Sequence, residues 1–326
     1  MRRCCLAKQG KKIMKNNTLA LTTTLSAREA TWDSIGTAVT TNQFDEALTE
    51  CGLDFTAALS PALTTMPDGV VSRIPNTNAV VGTDNKIHGV VSDAYHIIQN
   101  REAFDFAQYI TEDLTFLRGG ETDTGLNYLI AALPSIKVLG DEITPHLIFQ
   151  NSFNKKYICK VAIFPLRIVC QNQFNVAFKQ AENAVTIRHS ATAAEKLEQA
   201  KITMSNASAY MAQFAQLAEK FATLRTGADA LDAFVDYMFP IKSDLKDTEL
   251  ARLEVKRQDF RNCYNADDNG NFRNSAWGLI NAYADFATHY SGTNTKKSGR
   301  MCEKRFERSL ATPMNKILSF AESLAA

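Results

Sequence analysis

The chain has 326 residues and a mass of 36.1 kDa, and its 45% hydrophobic and 22% charged content suits one large core or two smaller ones. That composition excludes wholesale disorder, a collagen-like fibre and a disulfide mini-scaffold. Thirty-six Lys and Arg against 35 Asp and Glu leave a net charge of +1, so no global excess points to nucleic acid, membrane or an acidic partner.

Residues 1–15 are basic like the start of a signal peptide, but residues 18–27 are threonine-rich where an apolar segment should follow. No export signal is expected, Met14 suits a translation start, and residues 1–30 read as a disordered or extended N-terminus. No stretch approaches the roughly 18 consecutive apolar residues of a membrane helix, the nearest being Tyr157 to Cys170, broken by Lys160, Pro165 and Arg167. The seven cysteines are odd in number and only Cys4 and Cys5 lie close together, which indicates neither a disulfide framework nor a zinc site. A cytoplasmic location is therefore expected.

From Asn78 to Gln99, short β-rich runs (Ala79 to Val81, Ile87 to Val91, Tyr95 to Gln99) predict an antiparallel meander with Asp84-Asn85-Lys86 as a turn. Asn100 reads as an N-cap, and Ala103, Phe104, Ala107, Ile110 and Leu114 predict a helix that Gly119-Gly120 ends. A second β-rich set follows: Leu126 to Leu133, Ile136 to Leu139, Thr144 to Asn151 and Tyr157 to Cys170. The last two are joined by Phe153-Asn154-Lys155-Lys156 as a hairpin turn. Beyond Ile187 to Ser190, with Ser190 as the expected cap, apolar residues from Ala193 to Phe221 step strictly by four and three. Such a seam predicts a long helix packed within the chain. Further helices fit Ala228 to Phe239, Asp244 to Tyr264, Ala276 to His289 and Met301 to Leu324. The fold class expected is α+β: an antiparallel β-rich N-terminal domain of β-β-β-α order over residues 31–190, then an all-α region over 191–326.

The motifs of common enzymes are missing: G-x-S-x-G, H-E-x-x-H, the Walker loop, G-x-G-x-x-G and C-x-x-C. The five histidines are scattered, and Asn265 to Gly270 imitates a calcium loop without its first carboxylate or its closing glutamate. Neither cofactor nor metal is expected, and nuclease is the remaining enzyme reading. Charge is nonetheless uneven, with 5 basic and 15 acidic residues over 41–150 against 8 and 3 over 151–205. In the basic stretch Lys155, Lys156, Lys160, Arg167, Lys179 and Arg188 interleave with Phe153, Tyr157, Phe164 and Phe174 among amides such as Asn151 and Asn172. Cations track a phosphate backbone, aromatics stack bases and amides reach sugar or base edges, which is the make-up of a single-strand groove. An amphipathic hairpin with a solvated lysine face has the same letters. Strand alternation puts Lys156, Ile158 and Lys160 on one face and Tyr157, Cys159 and Val161 on the other.

Five blocks carry a family resemblance: Ala79 to Thr83 with Val90 to Asn100, Leu147 to Ser152, Arg167 to Asn172, Ile187 to Ser190, and Ala276 to Ala282 followed by His289. On these the chain resembles the phage/plasmid-like protein family, a domain of unknown function carried by phages, prophages and plasmids. The family usually has an Asp-Gly turn where this chain has Phe153-Asn154-Lys155-Lys156. The β-β-β-α order is also similar to the core of phage single-strand annealing proteins. That likeness implies a non-catalytic, cytoplasmic, homo-oligomeric protein of the bacterial host that anneals single-stranded DNA in recombination or replication. Its DNA-binding residues would be Lys155, Lys156, Tyr157, Lys160, Arg167, Asn172 and Arg188. The alternative is a structural or interaction protein of a mobile element that uses the helical seam.

Overall fold

Leu126 to Leu166 supplies the centre of an antiparallel eight-stranded sheet, and its apolar runs explain why. The structure, a computed structural model, describes residues 35–105, 114–167, 172–173, 184–204, 207–290 and 314–325. The sheet takes β1 (Thr37–Ala38), β5 (Thr115–Glu121), β6 (Leu126–Ala132), β8 (Asp141–Ser152), β9 (Cys159–Arg167) and β10 (Asn172–Gln173) in that order. In addition β7 (Ile136–Val138) pairs with β8, and β11 (Ala184–Ile187) pairs with β9. Every residue from Val161 to Leu166 is buried, so β9 is covered on both faces. A continuous apolar run rather than an alternation is the signature of such a strand.

After β1 and a short helix, α1 (Phe44–Glu50), comes a smaller sheet of β2 (Ala57–Thr65), β3 (Val71–Gly82) and β4 (Ile87–Ser92). The expected β-β-β-α order is present, but two of its parts differ. Ala57–Thr65 is the first strand, and Tyr95 to Gln99 is a loop in which Gln99 imitates a strand partner. Its side-chain oxygen accepts from the Ala57 amide and its Nε2 donates to the Ala57 carbonyl, both at 2.9 Å. Gln99, not Asn100, caps the helix α2 (Asn100–Phe104), its backbone amide donating to Glu102 at 3.0 Å. Thr115–Glu121 is a strand where helical spacing had predicted a helix.

The helical half contains α3 (Ala193–Met204), α4 (Ala207–Thr223), α5 (Ala230–Met238), α6 (Asp247–Tyr264), α7 (Ala276–Asp285) and α8 (Asn315–Ser323), and α7 passes into a π turn at Phe286–Tyr290. Ser275 caps α7 by accepting from the Gly278 amide at 3.2 Å. The residues Asp267–Phe272, read as an irregular loop, form a 3-10 turn. Leu197, Met211, Phe214 and Phe221 of the seam are buried, with Phe214 edge-on to Trp277 at 6.0 Å; Met204 lies outside the described side chains. The protein is thus α+β, with an antiparallel β-rich N-terminal region followed by a mostly helical one. One hydrophobic core joins them, holding Leu147, Phe149 and Val161 of the sheet together with Phe214, Phe234 and Trp277 of the helices. A second cluster on the other sheet face gathers Ile35, Tyr128, Ile130, Ile148, Phe164 and Leu166. Among the described residues no helix is long and apolar enough to cross a membrane.

Candidate nucleic-acid interface

The β8–β9 turn is folded by one asparagine. Asn154 Oδ1 accepts from the Lys156 amide at 3.1 Å and from the Ser152 hydroxyl at 2.8 Å, while its Nδ2 donates to the Thr124 carbonyl at 2.8 Å. Asparagine offers these local bonds because its short amide mimics a backbone turn. Lys155 takes the left-handed conformation (φ 65°), and Phe153 is buried against Phe55 at 5.5 Å. Two glycines let neighbouring chain come close behind the turn. A Cβ at Gly89 would lie 2.3 Å from the Phe153 carbonyl oxygen, and one at Gly125 (φ 84°) 2.3 Å from Asn154 Nδ2. The anchored turn leaves Lys155 and Lys156 exposed at its tip.

The remaining expected site residues divide between the two ends of β9. Ile187 pairs with Cys159, so exposed Arg188 leaves the sheet beside Ile158, at the same end as the two lysines. Lys160 is next along β9, flanked across the sheet by Gln150 and Thr186 and half-buried, and burial lowers its pKa. Tyr157 is half-buried, its hydroxyl donating to Thr124 Oγ1 at 2.9 Å, and it packs with the cluster that holds Ala162 and Phe164. It therefore sits on the Lys160 side of the sheet, because regular pairing begins only at Cys159 and the bends at 153–157 reset the alternation. Arg167 closes β9 at the opposite end, paired in register with Asn172 and Ile143, and the side chains of Arg167 and Asn172 lie outside the described residues. It lies seven positions along the strand from Lys160, about 23 Å away. A continuous wet, basic face along β9 is not what the strand presents, since Val161 to Leu166 are buried; the basic group is local to the turn.

Spacing gave no sign of the polar centre beneath this turn. Asn100, Asn127 and Asn151 are all fully buried and linked in a chain. Asn151 Nδ2 donates to Asn100 Oδ1 (3.1 Å) and to the Ile98 carbonyl (2.8 Å), and Asn100 Nδ2 donates to Asn127 Oδ1 (3.3 Å). Buried amides survive only with such partners, so the chain locks α2 to β6 and β8. Nearby, His88 stacks on Phe55 at 4.1 Å, with Nε2 3.1 Å from Asp84 and Nδ1 3.5 Å from Glu121. Burial opposes its charged form, but the bonds to Glu121 and Asp84 prevail and raise its pKa. A cleft of about 390 Å³ opens beside α2 and the start of α3, lined by His96, Ile98, Glu102, Ser190, Ala194 and Glu198.

Burial pushes the Cys51 thiol up to about 11 and the Cys159 thiol to about 12, which keeps both protonated. Among the described residues no group of three or more His, Cys, Asp or Glu side chains is placed to hold a metal ion.

The fold and this turn define an α+β protein with a small basic rim on one end of its larger sheet. The chain belongs to a family catalogued as a domain of unknown function (DUF932), whose model matches residues 87–310. No curated protein and no solved structure matches it. The matched region begins at β4 and takes in the turn, the asparagine chain and most of the helical half.

Proposed function

We propose that the protein binds single-stranded DNA without strong sequence preference, acting as a non-catalytic annealing protein of a phage or plasmid in the cytoplasm of a bacterial host. The observation that carries this reading is the group of Lys155, Lys156 and Arg188 at one end of β8, β9 and β11. All three are exposed, and among the described residues none of them is ion-paired with a carboxylate. Phosphates would supply the missing counter-charges, with Lys160 and Tyr157 at the edge of the same surface. Arg167 and Asn172, at the far end of β9, would belong to a second contact on a longer strand. The measurement is the salt dependence of binding to a fluorescent oligonucleotide. Each phosphate neutralised on a single strand contributes about −0.7 to the slope of log affinity against log salt, so three to four cations give roughly −2 to −3.

The rival reading, an interaction protein working through the seam from Ala193 to Phe221, is weakened by the burial of that seam inside the chain. Its specific support comes from elsewhere, the apolar surface of the smaller sheet.

A further inference from the structure

The β2–β3 hairpin extends beyond the body of the protein as an arm, and it carries apolar side chains that nothing among the described residues buries. Among the described residues, eight of the twelve exposed large hydrophobic side chains fall between Leu59 and Val90. At the distal end Leu63, Met66, Val70 and Val71 are 46–61% exposed. At the proximal end Ile87 pairs with Val81 and Val90 with Ala79, which puts Ile87 and Val90, 70% and 58% exposed, on the sheet face opposite Val80 and Val91. Val80 and Val91 are the ones that pack on Phe55 and Phe153.

β4 covers only Thr77 to Val81 of β3, so beyond that point the arm is a two-stranded ribbon. Such a ribbon is marginally stable in water by itself. Monomers also seldom expose contiguous apolar patches of more than a few hundred Å², and these eight side chains offer on the order of 800 Å², about one partner's share of a standard interface. Residues 57–82 carry only two charges: Arg73, which pairs with Asp93 at 3.6 Å, and Asp68, which accepts from the Val70 amide at 3.1 Å within the tip turn. So little charge gives the arm little means to select an acidic or basic partner. Pro61 in β2 and Pro75 in β3 interrupt the edges that strand addition would use. The faces of the arm, not its edges, are what remains to be covered.

We propose that the arm is the self-association surface of this protein, its apolar faces packing on the arm of a second copy of the chain. A sparsely charged apolar surface of this kind can meet its own copy across a two-fold axis without opposing like charges. The proposal goes beyond the DNA-binding reading above and needs no nucleic acid.

The test is sedimentation velocity of the full chain without DNA between about 1 and 50 µM, the weak end of what an interface of this area reaches. The wild type is expected to associate. The paired substitutions Leu63→Lys with Val71→Lys, and Ile87→Lys with Val90→Lys, should each raise the dissociation constant at least about thirtyfold, the effect of losing a hot-spot cluster. Val255→Lys, at an exposed helical position away from the arm, should not. Joining Leu63 to Arg73 through an Asn-Gly turn in place of residues 64–72 provides a second variant whose body should fold unchanged. Circular dichroism and binding of single-stranded DNA by each variant separate this outcome from misfolding and from failure of the DNA reading. A monomeric wild type over the whole range, an oligomer unmoved by every arm variant, or a monomer that floats with phospholipid vesicles through these side chains would overturn the proposal.

Discussion

The ring of His189 lies on that of Tyr95, centroids 4.9 Å apart and planes 14° from parallel, and clasps the entry of the helical half to the loop before α2. Each ring is fixed from a second direction. Tyr95 donates its hydroxyl to the Ser152 carbonyl at 3.0 Å, and His189 Nδ1–H donates to the His96 carbonyl at 3.2 Å. Tyr95→Phe should cost about 1 kcal/mol through the lost hydrogen bond. Tyr95→Ala should cost about 3–5 kcal/mol, because a buried aromatic ring goes with it. Urea denaturation of the two variants checks the pair; equal effects would mean the ring does not pack as described. Stoichiometric zinc lost on His189→Ala would show that this histidine is a ligand rather than a clasp.

The heptad seam is a core element. Phe214 is fully buried and meets Trp277 at 6.0 Å, so Phe214→Ala should destabilise by about 3–5 kcal/mol. A loss below about 1 kcal/mol would mean that the seam is not packed inside the chain.

Where the sequence pattern was strong, the fold followed it. The four-three stepping of the seam has one physical meaning, burial of one face of a helix, whereas the strand expected to carry one wet, basic face is buried on both faces over Val161 to Leu166. Lys155 and Lys156 were legible as turn residues because Asn154 precedes them. The failures have local causes. Ala57–Thr65 holds Pro61 and no alternation, since most of it faces solvent on both sides. The spacing of Ala103 to Leu114 predicts a helix that runs on to Arg118, but Thr115–Glu121 is paired with Leu126–Ala132, and that pairing overrides the local pattern; residues 106–113 lie outside the described residues. Tyr157 changed sides because bends at 153–157 reset the alternation, and Arg167 proved remote from Lys156 because spacing along a strand is distance, not proximity. The asparagine chain joins positions 27 and 51 residues apart, a separation that no short motif reports.

Two histidines should give the stability profile opposite slopes. His146 is buried and its pKa is lowered to about 4, so its folded form resists protonation. Stability is therefore lost as pH falls from about 6.5 towards 4, by up to about 3 kcal/mol. His88 has a raised pKa, so its contribution is complete below about 6.5 and is lost as pH rises through the folded value. Urea midpoints measured across this range should show a shallower acid limb for His146→Leu and, for His88→Gln, a loss relative to the wild type that is larger below about 6.5 than at higher pH. An unchanged acid limb in the first variant would contradict the buried, neutral assignment of His146.

Tyr157 tests whether bases stack at the turn. Its hydroxyl is engaged by Thr124, so Tyr157→Phe should leave DNA affinity nearly unchanged. Tyr157→Ala should weaken binding by about 1–3 kcal/mol without altering the salt slope, if a base lies on the ring. A changed slope would instead assign Tyr157 to holding the lysines in place.

The most direct measurement is the affinity of the protein for a single-stranded oligonucleotide as a function of salt, for the wild type and for Lys155→Ala with Lys156→Ala. The double variant should flatten the slope of log affinity against log salt by roughly 1.4, with its fold and thermal midpoint unaltered, because both side chains are exposed. Absence of binding by the wild type at about 50 mM salt, or a slope that the double substitution leaves unchanged, would contradict the proposal that this turn holds nucleic acid.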